Sequence, residues 1–124
     1  MVISEAINRA DEFRPNSVPY ETKRSWLHAF EADIAETMCV DCPTWNMDSA
    51  YTDYTLLAEH PWDYIYPYLI MPQIDLWNQD SQLYQIDSVT ANNVLSDFKR
   101  HYIRNRGENA KDNMPTKIKG VLLQ

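Results

Sequence analysis

Glycine is scarce in this chain of 124 residues, which contains only Gly107 and Gly120. Proteins rich in β-sheet need glycine for many of their turns, so its scarcity favours helices joined by loops of proline, asparagine and aspartate. Glycines at these two positions alone also exclude a glycine-rich phosphate loop and the Gly-x-Ser-x-Gly turn that presents a catalytic serine.

Long apolar runs are missing as well. No window approaches the roughly 18 consecutive apolar residues that a membrane-spanning helix requires. The opening residues, MVISEAINRADEF, have neither the basic nor the apolar region of a signal peptide. We therefore expect a protein that makes no membrane contact and stays inside the cell that makes it.

Cysteine occurs only as Cys39 and Cys42, in the sequence CVDC. A zinc site needs four ligands, so this pair supplies half of one, and neither His28 nor His60 stands at a recognisable ligand spacing. A thioredoxin-like pair would follow a strand and begin a helix, whereas this pair follows a predicted helix and runs into Pro43. Structural thiols are favoured, with a metal or redox site at these cysteines as the weaker alternatives. No cofactor is expected.

Catalytic motifs are not evident. His-Glu-x-x-His is absent, and Glu59-His60 is an isolated dipeptide ahead of a predicted helix. Carboxylate pairs such as Asp75 and Asp80 fall on predicted helices, where solvated faces often carry them. The sequence predicts a protein that is not an enzyme and has no catalytic residues.

Helical periodicity dominates what is present. Ser4 is a good N-cap for a first helix over EAINRADEF, and Pro19 suits the first position of a second helix that ends at Met38. The aromatic stretch then predicts a helix over 62–85, kinked by Pro72. A last helix follows, capped by Asp87 or Ser88 and stopped by Gly107.

The fold class predicted from these elements is mainly α. We expect a single small domain, a bundle of about four helices, with a long central loop over CVDCPTWNMDSAYTDYT. The domain would span 1–107, and 108–124 would form a basic, flexible and extended C-terminal tail.

Aromatic residues make up 12% of the chain, and many of them lie in the predicted third helix. One helix cannot bury all of these rings on a single face, and tyrosine and tryptophan suit interfaces where the ring is buried and the polar atom reaches a partner. We therefore predict a subunit interface, with packing inside the chain as the alternative, for Trp62, Tyr64, Tyr66, Tyr68 and Trp77.

Charge is divided unevenly along the chain. Residues 99–124 carry seven cations and two acids, a net +5, so residues 1–98 carry −12 of the total of −7. This polarity suits head-to-tail contacts between copies that close into a ring, although a solvated surface with a basic tail has the same signature. The acidic body argues against duplex DNA binding. The cations assigned to a partner interface are Arg100, Arg104, Arg106, Lys117 and Lys119.

Three blocks of the sequence resemble one family of small proteins from tailed phages and prophages of Gram-positive bacteria. The blocks are ISEAINRADEFRPNSVPYETKRSWLHAFEADIAETM, LLAEHPWDYIYPYLIMPQIDLWNQDSQLYQID, and NVLSDFKRHYIRNR with NMPTKIKG. They cover nearly the whole chain apart from CVDCPTWNMDSAY. Pro67, Pro72 and the CVDC pair depart from the family pattern.

The resemblance implies a head–tail connector, also called an adaptor or head-completion protein. Such proteins are mostly helical and dock as a ring of about twelve copies under the portal after DNA packaging. The implied partners are other copies of the chain, the portal and a tail-side completion protein, with at most non-specific contact to DNA in the channel. The implied location is the head–tail junction of the virion, and the host cytoplasm during assembly.

A different class also fits the composition. A small acidic helical binding or regulatory protein of phage origin would share the net charge and the helices, and would remain a small discrete oligomer. Ring formation distinguishes the two hypotheses.

Overall fold

The computed structural model describes residues 1–43 and 53–113, with side chains up to Arg104. Within these ranges the chain forms four α-helices: α1 (Ile3–Phe13), α2 (Tyr20–Met38), α3 (Ile65–Trp77) and α4 (Ser81–Asn113), with a 3₁₀ helix at Trp62–Tyr64. The described residues contain no strand, only an isolated antiparallel bridge between Val2 and Thr55. The prediction of a small, mainly α bundle is confirmed.

Helix α3 is the centre of the bundle and packs against each of the other three helices. Its sequence, IYPYLIMPQIDLW, is apolar on almost every side, as expected for a helix surrounded by other elements. Ile65, Ile70 and Ile74 are completely buried, and Leu69 is nearly so. Because α3 supplies so much of the core, its position determines how α1, α2 and α4 pack together.

The start of α1 corrects the prediction that Ser4 caps it. The helix begins at Ile3, and Val2 holds the cap position without a side-chain cap. The Ser4 amide and hydroxyl instead donate hydrogen bonds to the carboxylate of Asp53, at 2.9 and 2.5 Å. The carboxylate of Asp53, far away in the sequence, therefore accepts the hydrogen bond of an amide in the first turn that an N-cap side chain usually accepts.

The predicted helix over 62–85 is wrong as a single element. It begins as a 3₁₀ turn, continues as α3 and breaks after Trp77, where Gln79 adopts a left-handed conformation with φ of 58°. Asp80 then accepts a hydrogen bond from the Leu83 amide at 3.0 Å and caps α4. Asp87, predicted as a cap, lies inside α4, as does Ser88.

Gly107 does not end the last helix, because α4 continues to Asn113. The predicted tail over 108–124 is therefore helical in its first six residues. Its remainder, 114–124, lies outside the described residues. Pro72 is inside α3, where its missing N–H leaves the carbonyl of Tyr68 without the usual helical donor.

The predicted central loop is partly described. Residues 44–52 lie outside the description, whereas 53–58 are held against the core. Buried Glu31 accepts a hydrogen bond from the Leu57 amide at 2.9 Å, and Leu56 and Ala58 are buried. This segment joins α1, α2 and α3 on one side of the bundle.

Candidate functional site

Aromatic rings from two distant parts of the chain meet where the 3₁₀ helix faces α4. The ring of Trp62 lies 4.7 Å from that of His101, centroid to centroid and at 31°, and 6.1 Å from Phe98. Trp62 also stacks on Tyr64 at 6.2 Å. Phe98 is buried and Trp62 is half-buried, so the indole covers the core on one side and contributes to the surface on the other.

This contact forms the floor of a shallow concavity of about 280 Å³. We call it, together with neighbouring Tyr68, the aromatic–basic surface. Its lining combines two aromatic rings from the 3₁₀ helix with about two turns of α4. The lining residues are Trp62, Tyr64, Asp97, Arg100, His101 and Arg104.

The aromatic row continues beyond the concavity. Tyr64 meets Tyr68 edge to face at 6.3 Å, and Tyr68 stacks on Phe13 of α1 at 6.0 Å. Tyr64 is 38% exposed and Phe13 is 50% exposed. The row therefore leaves large rings in contact with water, a property common at protein interfaces.

Cations dominate the charge along the α4 side of the concavity. Arg100 lies 3.7 Å from Asp97, an exposed pair one helical turn apart that holds neither group firmly. Arg104 is exposed and forms no ion pair with any side chain that the structure describes. The surface can therefore accept a carboxylate or another anion beside its aromatic rings.

The hydroxyl of Tyr64 remains protonated at neutral pH. Burial raises the pKa of Tyr64, and the negative charge of Asp97 raises it further. The group is thus a neutral hydrogen-bond donor at the edge of the concavity.

Four of the ten predicted interface residues line this concavity, namely Trp62, Tyr64, Arg100 and Arg104, and Tyr68 adjoins it. The predicted interface role of Tyr66 is corrected, because its side chain is completely buried and its hydroxyl donates a hydrogen bond to Glu31. Within the helix, Tyr66 points into the core while Tyr64 and Tyr68 stay near the surface.

Trp77 is exposed by 48%, but it lies at the other end of α3. At about 1.5 Å per residue, that end is about 20 Å from the concavity. Arg106 lies on α4 beyond the described side chains, and Lys117 and Lys119 lie outside the described residues. Their assignment to an interface stays a prediction.

One of the two cysteines, Cys42, lies near His28, a contact that the sequence did not indicate. Cys42 Sγ lies 3.8 Å from His28 Nε2, and that nitrogen lies 3.0 Å from the Pro43 carbonyl oxygen. Burial, followed by the charge of Glu31, raises the pKa of the Cys42 thiol, so it is not activated as a thiolate. Across the described residues, no three potential ligands are grouped closely enough to hold a metal ion.

Sequence reasoning missed His101 and Asp97 as parts of the aromatic–basic surface, and it missed the packing of Trp62 on Phe98. Nothing local links Phe98 to Trp62, which lies 36 positions away. The sequence offered only an indirect signal for this surface: His101 follows Asp97 by one helical turn in the basic part of the last helix.

No described helix is both long and apolar enough to cross a membrane. No family model, no curated protein and no solved structure matches this chain.

Proposed function

We propose that this chain is a structural subunit of a head–tail connector of a tailed phage or prophage, acting in head completion after DNA is packaged. In this role it binds other copies of itself in a ring of about twelve and docks under the portal. It performs no catalysis. The proposal rests on the sequence resemblance, on the small helical fold and on the aromatic–basic surface.

The observation that carries the proposal is the meeting of Trp62 and Tyr64 with Arg100 and Arg104 on one surface. Half-buried rings beside exposed guanidinium groups are the composition that protein interfaces favour. The imidazole of His101 and the carboxylate of Asp97 also line the concavity, so the aromatic rings and the arginines are what favour an interface here.

A second copy of the chain is the contact that the charges favour. Residues 1–98 carry a net −12, whereas 99–124 carry +5. A basic end of one copy against the acidic body of the next is a head-to-tail contact, and head-to-tail contacts of identical chains close into rings when the rotation permits. Charge complementarity would also fix the register of neighbouring copies.

Exposed apolar side chains on the outer part of the bundle support assembly as well. Leu76 and Trp77 end α3, and Ile86 and Val89 lie on the outward face of α4, each about half exposed or more. Single exposed apolar residues are common on protein surfaces. Four of them near one end of the α3–α4 hairpin expose apolar area to water unfavourably, and contact with a neighbouring copy would bury that area.

The experiment for this proposal is light scattering behind a sizing column over a wide range of protein concentration. Negative-stain images of the largest species accompany it. We expect larger species as concentration rises, and closed rings in the images. Low salt should favour them, because screening weakens contacts between exposed charges.

A strict monomer or dimer at every concentration and salt would contradict assembly of the chain alone into a ring through this surface. That result would favour the alternative, a small acidic helical binding protein.

A further inference from the structure

Helix α1 is joined to α4 by a partly buried ion pair. The Arg14 guanidinium donates two hydrogen bonds to the Asp87 carboxylate, from Nε and from Nη2, both at 2.9 Å. Its Nη1 donates to the Phe13 carbonyl, also at 2.9 Å. Asp87 is 4% exposed, so this two-point contact holds the end of α1 against α4 away from water.

A second carboxyl group, that of Asp75 on α3, is buried beside this pair. Asp75 is 1% exposed, and neither of its oxygens has a hydrogen-bond partner in the described structure. Arg14 Nε lies 3.5 Å from Asp75 Oδ1, but its single hydrogen is already donated to Asp87. A buried carboxylate without hydrogen bonds is costly, and a protonated carboxyl group avoids that cost.

The charged groups around Asp75 come from three elements. Burial raises the pKa of Asp75 to about 7, and the neighbouring carboxylate of Asp87 on α4 acts in the same direction. Arg14 at the end of α1 opposes the shift, and Asp80 in the α3–α4 turn adds to it. One cation thus faces two buried carboxyl groups, and only one of them receives its hydrogen bonds.

We propose that Asp75 carries a proton in the folded chain and donates it in a hydrogen bond to Asp87, and that its loss loosens the junction of α1 with α3 and α4. In the protonated form the Asp75 hydroxyl donates to the Asp87 carboxylate, which also accepts from Arg14. On deprotonation the proton passes to water, and two buried carboxylates face one guanidinium. Phe13, which stacks on Tyr68, is next to Arg14, so the end of the aromatic row is attached to this junction.

The sign of the pH dependence follows from the direction of the shift. In the unfolded chain Asp75 has an ordinary pKa near 4, whereas in the folded chain its pKa is raised. The folded state therefore binds the extra proton between these two values, and stability falls as pH rises through this window. Above the folded pKa both states have lost the proton and this contribution is flat.

Urea unfolding of the wild type and Asp75→Asn at several pH values from 5 to 8 tests the proposal. Asparagine has the same shape, and its amide can donate to Asp87 as the protonated acid does. The wild-type unfolding equilibrium constant should increase by up to about tenfold per pH unit towards pH 7. Asp75→Asn should lose this increase and be the more stable protein at pH 8.

Asp41→Asn is the matched control, since Asp41 is an exposed aspartate outside the aromatic–basic surface, and it should retain the wild-type pH profile. If Asp75→Asn fails to fold, the pH dependence of the Asp75 carboxyl ¹³C chemical shift in the wild type shows directly where Asp75 titrates. Equal pH slopes in the wild type and Asp75→Asn, or an Asp75 titration midpoint below about 5, would overturn the proposal. Neither readout depends on the connector role.

Discussion

The hydroxyl of Tyr66 donates a hydrogen bond to Glu31 Oε1 at 2.6 Å and accepts one from the amide of Ala58 at 2.9 Å. Both side chains are completely buried. Burial raises the pKa of Glu31, while the hydrogen bonds from Tyr66 and from the Leu57 amide oppose that shift. The pair joins α2 to α3 and anchors 57–58 between them, so an aromatic residue predicted for an interface serves the core.

Removal of this hydroxyl should destabilise the fold. Tyr66→Phe leaves the Ala58 amide without an acceptor and Glu31 Oε1 without its donor. A lost buried partner costs about 1–3 kcal/mol. Urea unfolding measures the change. Tyr68→Phe is the control: its hydroxyl has no hydrogen bond in the described structure, so the change should stay within about 0.5 kcal/mol. Equal losses in both variants would contradict this role for Tyr66.

The α3–α4 turn depends on Asp80. Its carboxylate accepts the Leu83 amide in the first turn of α4. Asp80→Ala should lower the free energy of unfolding by about 1 kcal/mol, the usual cost of a lost cap, and Asp80→Asn should lose much less. Ser81→Ala, next in the chain and exposed, should change little. A harmless Asp80→Ala would show that α4 begins without this cap.

Charge reversal at the aromatic–basic surface should weaken self-association without unfolding the chain. Arg104→Glu places an acid where an acidic partner surface is expected, and we predict a loss of at least about tenfold in association constant. Sedimentation equilibrium measures that constant.

The control for Arg104→Glu is the pair Ser25→Glu and Ala32→Glu, which changes the net charge equally. Both residues are exposed on α2 and belong neither to the aromatic–basic surface nor to the apolar end of the α3–α4 hairpin. An equal effect of the control would assign the loss to net charge rather than to the surface.

The cysteines should behave as structural thiols. Because the pKa of Cys42 is raised by burial, it should react with iodoacetamide more slowly than exposed Cys39 at pH 7.5. Cys42→Ser should fold normally, and the purified wild type should contain no stoichiometric zinc by mass spectrometry. Bound zinc that is lost in Cys42→Ser would restore the metal hypothesis, with His28 as a third ligand.

The helices could be predicted because their apolar periodicity is local. The break after Trp77 could not, since Leu76, Trp77 and Leu83 continue an apolar spacing across Asn78–Asp80 and the left-handed residue there is Gln79 rather than glycine. Ser4 was misread as a cap because its partner, Asp53, is 49 positions away. Local sequence does not show which distant group satisfies a helix end.

The candidate surface was predictable only in part. Composition indicated that some aromatic residues would lie at the surface, yet Tyr64, Tyr66 and Tyr68 look equivalent in the sequence. Tyr66 is distinguished by Glu31, 35 positions away, whose carboxylate requires a buried donor. The contact of Trp62 with His101 likewise depends on how α3 packs on α4.

Hydroxyl-radical footprinting across a concentration series reports the accessibility of individual aromatic side chains and therefore shows whether the aromatic–basic surface is the contact between copies. We expect oxidation of Trp62 and Tyr64 to fall as the protein assembles, and Arg104→Glu to abolish the protection. Buried Tyr66 provides an internal reference that should stay unreactive throughout. Assembly that leaves Trp62 and Tyr64 as reactive as in dilute solution would contradict the assignment of the aromatic–basic surface as the contact between copies.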